Sequence, residues 1–333
     1  MDNFADRKWS HTMSKTSGAG AALPVIDLSL LAGNEEQRQS LARSLNNACL
    51  HTGFFYICRH GIPDGLIARV FRESRALFDL PAEEKEAIHK AHSTANRGYE
   101  PLKGQTLEPG SPPDLKEGFY IGEELDDSDP RVRAGRFNHG PNQWPAALPT
   151  FRETMSKYFE AMNELSDRIM QALALALDLP QDFFDDFCQQ PLSTLRLLHY
   201  PPQPPNPQPG EKGCGAHTDF GGVTILLLDD NPGLQVWDAA NDRWINANPI
   251  PGTFVVNLGD MIARWTNNRY RSTLHRVVNT SGAERYSVPF FFSGNPDHEV
   301  RCLQACLSED EQPHYPPTTV EAHLMEMYRR TYA

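Results

Sequence analysis

Residues 216–228 read AHTDFGGVTILLL. The apolar, β-branched run reads as strand, and strand side chains alternate faces with period two. His217 and Asp219 stand two positions apart, so an imidazole and a carboxylate point to one side. A second strand-like run, STLHRVVN (272–279), supplies His275. Two imidazoles and one carboxylate form the facial ligand set of non-haem Fe(II) oxygenases, which leaves up to three coordination positions for substrates and O2. Ten residues beyond His275, Arg285-Tyr286-Ser287 is another i, i+2 pair. It puts a guanidinium and a hydroxyl on one face, a combination suited to holding a carboxylate.

Each piece alone is weak. An H-x-D is often a surface histidine beside a turn acid, and a lone distal histidine is usually packed or solvated. The order H-x-D, 55 intervening residues, H, then R-x-S is far more specific, because one barrel would bring the pieces together.

Composition narrows the function classes. A chain of 333 residues suits one large core or two small domains. Its net charge of −12 argues against a nucleic-acid partner and against anionic membrane surfaces. Six cysteines are scattered, with no C-x-x-C, so zinc-ribbon and thioredoxin-like readings fail and free thiols in a reducing cytoplasm are expected. No signal peptide or membrane-length apolar run is visible.

The periodicity predicts an α+β chain with a mainly β core. Residues 1–22 read as a disordered tail, 23–150 as an N-terminal segment, and 151–333 as a core with a backing helix and a C-terminal helix, all in one globular unit. In the N-terminal segment, short strands at Val25–Leu28 and Phe54–Cys58 alternate with helices over 36–53, Asp64–Phe78 and from Pro81. Residues 91–148 are rich in Gly, Pro and charge and read as loop around one strand, Glu117–Ile121. Residues 148–179 form the longest helical pattern, with Phe151, Met155, Tyr158, Phe159, Met162, Leu165 and Ile169 in one stripe. After the PPQPPNPQPG linker (201–210), short strands and turns such as DDNPG and AAND give the pattern of a jelly roll. A last helix, 319–332, cannot be placed from sequence.

From about Leu23 to Pro296 the chain resembles the iron- and 2-oxoglutarate-dependent dioxygenases of the isopenicillin N synthase-like class. PVIDLSLL, HTGFFYICRHGIP and LFDLPAEEKEAI are similar to that family's N-terminal segment. LRLLHYPP, GAHTDFGGVTILLLDDNPGLQVW, VVNLGDMIARWTNNRYRSTLHRVVN and ERYSVPFF are similar to its catalytic core. Within the class, ANRGY, the D-x-K-E of PDLKEGFYIG, LRLLHYP and MIARWTN resemble the fungal thymine 7-hydroxylases.

The resemblance implies a double-stranded β-helix that binds Fe(II), 2-oxoglutarate and O2 and oxidises a small molecule, with release of succinate and CO2. It implies His217, Asp219 and His275 as metal ligands, and Arg285, Ser287 and Tyr200 as the 2-oxoglutarate site. Many plant members carry Asn-Tyr-Tyr-Pro-Pro where this chain has Leu198-His199-Tyr200-Pro201-Pro202, so that carry-over rests on Tyr200. His199 should face the opposite side. Arg196, Phe220, Asn96 and Phe291 match a nucleobase pocket, suited to a planar heterocycle with carbonyl and N–H edges. The thymine enzymes carry tyrosine in place of Phe220, and Phe220 and Phe291 read equally well as barrel core. Arg196, a charge on an apolar strand, needs a partner. Lys116 and Glu117 read equally well as a solvated pair, and no role is assigned to them. Two other readings stay open: an iron oxidase that uses no 2-oxoglutarate, with Arg285 gripping a substrate carboxylate, and a non-catalytic metal sensor on the same barrel. A zinc hydrolase is disfavoured because no H-E-x-x-H occurs.

Overall fold

The computed structural model of the chain describes residues 23–203, 209–279 and 281–332. The predicted tail and part of the 201–210 linker lie outside the described residues. Twelve strands build the core: β1 Val25–Asp27, β2 Phe54–Cys58, β3 Gly98–Glu100, β4 Glu117–Ile121, β5 Ser193–Tyr200, β6 Cys214–His217, β7 Val223–Leu228, β8 Leu234–Asp238, β9 Arg243–Asn246, β10 Phe254–Leu258, β11 His275–Val277 and β12 Arg285–Phe292. Eight of them form a major sheet in the order β1-β2-β10-β7-β12-β5-β4-β3, and four form a minor sheet in the order β6-β11-β8-β9. The fold is α+β, with a jelly-roll core, an N-terminal α/β segment and a long backing helix.

Period-two alternation sorts the central strands of the major sheet. On β12, Tyr286, Val288, Phe290 and Phe292 turn one way, while Arg285, Ser287 and Phe291 turn the other. The first set packs toward the backing helix, Phe151–Ala176. Phe290 meets Phe159 edge-to-face with centroids 5.4 Å apart, and on β4 Phe119 meets Phe151 at 5.6 Å. Every residue of the predicted stripe on that helix is buried. Full burial of such side chains is worth roughly 1.5–3 kcal/mol each, so packing rather than helix propensity holds the element.

The second set faces the minor sheet. Register places Arg285 opposite Tyr200, Ser287 opposite Leu198 and Phe291 opposite Thr194, all antiparallel. Tyr120 on β4 stands opposite Arg196. A row of polar and aromatic groups therefore runs along the inner face of the barrel.

Several expectations need correcting. The H-x-D is not one continuous strand: β6 ends at His217, and Asp219 lies in the crossing from the minor to the major sheet. Close backbone approach makes that crossing possible. A Cβ on Gly259 would lie 2.2 Å from the Gly221 carbonyl oxygen, so only glycine fits there. The strand of His275 is shorter than the STLHRVVN run, covering only His275–Val277. The C-terminal helix, Val320–Tyr332, which the sequence left unplaced, packs beside the H-x-D segment, with Tyr328 against Phe220. Its first turn is clamped by Arg136, which pairs with both Glu321 (2.9 Å) and Asp297 (2.7 Å), and His323 Nε2 lies 3.0 Å from the Phe220 carbonyl.

Candidate metal centre

His217 and His275 are direct cross-strand partners on β6 and β11, with ring centroids 4.3 Å apart. Asp219 reaches back to both: its Oδ1 lies 3.8 Å from His217 Nε2 and 3.7 Å from His275 Nε2. One donor atom from each of the three lies within 4.8 Å of the others, so the three could hold one ion.

Hydrogen bonding around the triad orients it for a metal. His217 Nδ1 lies 2.8 Å from the Gly215 carbonyl and His275 Nδ1 lies 3.0 Å from the Thr273 carbonyl. A carbonyl only accepts, so each Nδ1 carries the proton and each Nε2 lone pair faces Asp219. The second carboxylate oxygen of Asp219 is occupied by Thr224 Oγ1 (2.6 Å) and Asn257 Nδ2 (2.7 Å), which leaves Oδ1 for the ion. Burial pushes the His275 imidazole down to about 4 and lowers His217 in the same direction, keeping both rings neutral and ligating. Burial opposes ionisation of Asp219, but the two histidines and the two hydrogen bonds outweigh it and hold the carboxyl below its ordinary range. Two neutral imidazoles and one carboxylate, with positions left open, fit ferrous iron.

The anion side is as distinct. Arg285 is 1% exposed, yet its Nε and Nη1 have no hydrogen-bond partner among the described residues. Its guanidinium lies over the Tyr200 ring at 4.8 Å, and the Tyr200 hydroxyl contacts Ser287. A buried cation with unmet donors costs free energy that only an acceptor recovers, so the three residues fit a carboxylate of a bound co-substrate.

Beside the triad lies a cavity of about 90 Å³, bordered by His217, Asp219, Arg196, Phe220 and Phe291. Asn96 is not on its wall. The Asn96 amide instead donates to Asn138 Oδ1 at 2.6 Å, and Asn138 lines the cavity in its place. Arg196 has found a partner within the chain: it pairs with Glu100 at 3.2 Å and lies 4.2 Å over the Tyr120 ring. Glu100 also binds Lys90 and the Tyr120 hydroxyl (2.8 Å). Phe220 and Phe291 do face the cavity, although Phe220 also packs against the main core.

The alternative of a solvated pair at Lys116 and Glu117 is overturned, since both are buried and each pairs with other residues. Lys116 forms an ion pair with Asp114 and lies 3.7 Å from Cys214 Sγ. Glu117 pairs with Lys85 at 3.1 Å and with His199 at 2.8 Å. His199 does face away from the metal, stacked on Tyr286 at 4.7 Å. Sequence reasoning also missed Gln105, Tyr120, Thr194, Leu324 and Tyr328 on the cavity wall. Thr194 was accessible from period two along β5, whereas the C-terminal helix residues carried no local signal.

Two family models match the chain. Residues 23–147 match the non-haem dioxygenase in morphine synthesis N-terminal model, and residues 191–294 match the 2OG-Fe(II) oxygenase superfamily. A 2-oxoglutarate-Fe(II) type oxidoreductase of Emericella nidulans, hxnY, is 47% identical over 94% of this chain and 91% of its own length. The crystal structure of the full-length Neurospora crassa thymine 7-hydroxylase with α-ketoglutarate superposes with a TM-score of 0.84 at 30% identity, covering 96% of this chain and 100% of that one. The same enzyme with α-ketoglutarate and thymine gives 0.81 at 30% identity, over 93% and 97% of the two chains. By its ligand chemistry and by these likenesses, the chain belongs to the 2OG-Fe(II) oxygenase superfamily and is a non-haem iron, 2-oxoglutarate-dependent dioxygenase of a small molecule.

Proposed function

We propose that this dioxygenase holds Fe(II) through His217, Asp219 and His275, holds 2-oxoglutarate through Arg285, Ser287 and Tyr200, and oxidises a small planar heterocycle. When bound, iron and 2-oxoglutarate supply with O2 the oxidation of one substrate C–H bond, releasing succinate and CO2. The chain supplies placement. Arg285 neutralises the far carboxylate of the co-substrate, with Ser287 and Tyr200 as further donors. Asn257 and Thr224 keep the Asp219 carboxylate turned inward.

The observation that carries the substrate reading is the cavity wall. Two aromatic rings, Phe220 and Phe291, stand beside the metal ligands with polar groups of Gln105, Thr194 and Arg196 around them. Flat apolar faces with a few polar groups suit a ring with carbonyl and N–H edges. The likeness to a Neurospora enzyme crystallised with thymine supports the same class. Arg196 serves this site held in place by Glu100, so it presents a fixed edge rather than a loose charge. Because Phe220 has no hydroxyl, contact there is through its ring alone.

The major sheet draws strands from both 23–150 and 151–333, which supports treating the two segments as one functional unit. All six cysteines are unpaired, which supports a reducing cytoplasmic setting. No helix among the described residues is long and apolar enough to cross a membrane. The acidic charge leaves a small molecule as the expected partner rather than nucleic acid.

The test offers thymine, uracil and related rings beside aromatic and aliphatic acids to the iron-loaded enzyme with 2-oxoglutarate, reading succinate. Stimulation by ring compounds supports the reading. Stimulation by flexible aliphatic acids alone would return Phe220 and Phe291 to the role of core residues.

A further inference from the structure

Two buried arginines among the described residues each carry two guanidinium nitrogens with no hydrogen-bond partner: Arg285 and Arg97. Arg285 lies where a co-substrate carboxylate fits. Arg97 shows the same signature and is not among the groups assigned to iron or co-substrate.

Arg97 is 2% exposed. Local geometry drives it inward: Asn96 takes a left-handed conformation (φ 56°), and Ser93 Oγ accepts from the backbone N–H groups of both Ala95 and Arg97 at 3.1 Å. The guanidinium lies against Gly122, where a Cβ would fall 1.9 Å from Nη2, so the neighbouring strand end keeps room for it. Nη2 donates to the Asn138 carbonyl at 2.6 Å, while Nε and Nη1 have no acceptor among the described residues. Burial pushes its pKa down to about 10, the direction expected of a cation without a close counter-ion. The acidic groups acting on it from a distance, Glu123 and Glu124, are bonded elsewhere. Glu123 is paired with Arg131 (3.0 Å), and Glu124 accepts from the Trp144 indole (2.8 Å).

Its position is informative. Asn138, which accepts from Arg97 and from Asn96, lines the cavity beside the metal ligands. Tyr328 of the C-terminal helix lines the same cavity, within electrostatic reach of Arg97. Arg97 thus stands directly behind the Asn138 and Tyr328 side of the wall. An unmet buried cation next to a substrate cavity is an anion site in waiting.

We propose that the substrate carries a carboxylate, and that Arg97 binds it at the Asn138 and Tyr328 end of the cavity. The enzyme is then a dioxygenase of ring carboxylic acids rather than of neutral rings. This rests on the reading of the cavity as the substrate site. Arg285 binds the carboxylate of the co-substrate and Arg97 that of the substrate, each using donors the fold leaves unmet.

The test compares ring carboxylates (benzoate, pyridine carboxylates, uracil carboxylates) with the primary amides of the same rings and with thymine and uracil. Succinate formation and anaerobic equilibrium binding are read on the iron-loaded full chain, for wild type, Arg97→Met and Arg97→Lys. The expected result is a preference of the wild type for acids over amides of roughly 30-fold or more. Arg97→Met should lower kcat/KM and binding for the acid by a similar factor and bring the acid-to-amide ratio to within about threefold. Lysine should restore part of it. The melting temperature of Arg97→Met should hold or rise, because an unpaired buried charge is removed; a structural arginine would lower it. If amides and neutral rings drive the wild type as well as acids do, the inference is overturned while the ring reading stands. If flexible aliphatic acids alone drive turnover and Arg97→Met abolishes their binding, the anion site stands and the ring reading falls.

Discussion

Replacing Arg285 with alanine removes one side chain whose cost follows from its surroundings. The guanidinium is 1% exposed, rests on Tyr200, and has two donors unmet among the described residues. On the proposed assignment, those donors meet a co-substrate carboxylate out of water. Losing one partner of a buried charged pair costs on the order of 2–5 kcal/mol. At about 1.4 kcal/mol per tenfold, the low end corresponds to a roughly 30-fold higher 2-oxoglutarate requirement. Lysine keeps the charge but not the planar donor array and should recover only part. Ser287→Ala removes one hydrogen bond and should cost roughly three- to tenfold. The assay is succinate formation against 2-oxoglutarate concentration at saturating substrate, with thermal melts run on the metal-free variants. Those melts should change little, because without co-substrate the arginine is an unpaired buried charge whose removal offsets the lost packing. An unchanged 2-oxoglutarate requirement in Arg285→Ala would refute the assignment and revive the reading in which this arginine grips a substrate.

Burial, with His217 alongside, holds the folded His275 imidazole down at about 4, against about 6.5 in the unfolded chain. Between those values the unfolded chain takes up the proton first, so metal-free protein should lose stability as pH falls from about 6.5 toward 4. Melts at about pH 7.5 and about pH 5 should show a smaller difference in His275→Gln than in wild type. Asn257→Ala removes one of the two hydrogen bonds that turn Asp219 Oδ2 away from the ion and should weaken Fe(II) binding roughly 10–100-fold, read by anaerobic titration. Tyr328→Ala opens the outer cavity wall, so the range of rings that stimulate succinate should extend to bicyclic ones.

What the sequence revealed followed period and order. The inner face of β12, Arg285, Ser287 and Phe291, obeys a two-residue repeat and needs no tertiary information. His217, Asp219 and His275 were legible as a set, but not the way the chain brings them together. The H-x-D straddles the crossing between two sheets, a turn created by contact of Gly259 with Gly221 far along the chain. The burial of Lys116 and Glu117 was not legible because charged residues are exposed by default; their partners Cys214 and His199 come from distant strands. Asn96 matched a pocket motif, yet its left-handed backbone turns its amide onto Asn138, one layer behind the wall. Leu324 and Tyr328 were invisible because an amphipathic helix pattern says which face is apolar, not what lies beneath it.

The central claim is an iron site built from three named side chains on a barrel that folds without the metal. It is tested most directly by anaerobic Fe(II) titration of the wild type and of His217→Ala, Asp219→Ala and His275→Ala, with circular dichroism on each. One tightly bound iron is expected in the wild type, with loss of most of that affinity in every variant and an unchanged fold throughout. Tight stoichiometric iron binding in His275→Ala, with turnover preserved under limiting iron, would contradict it.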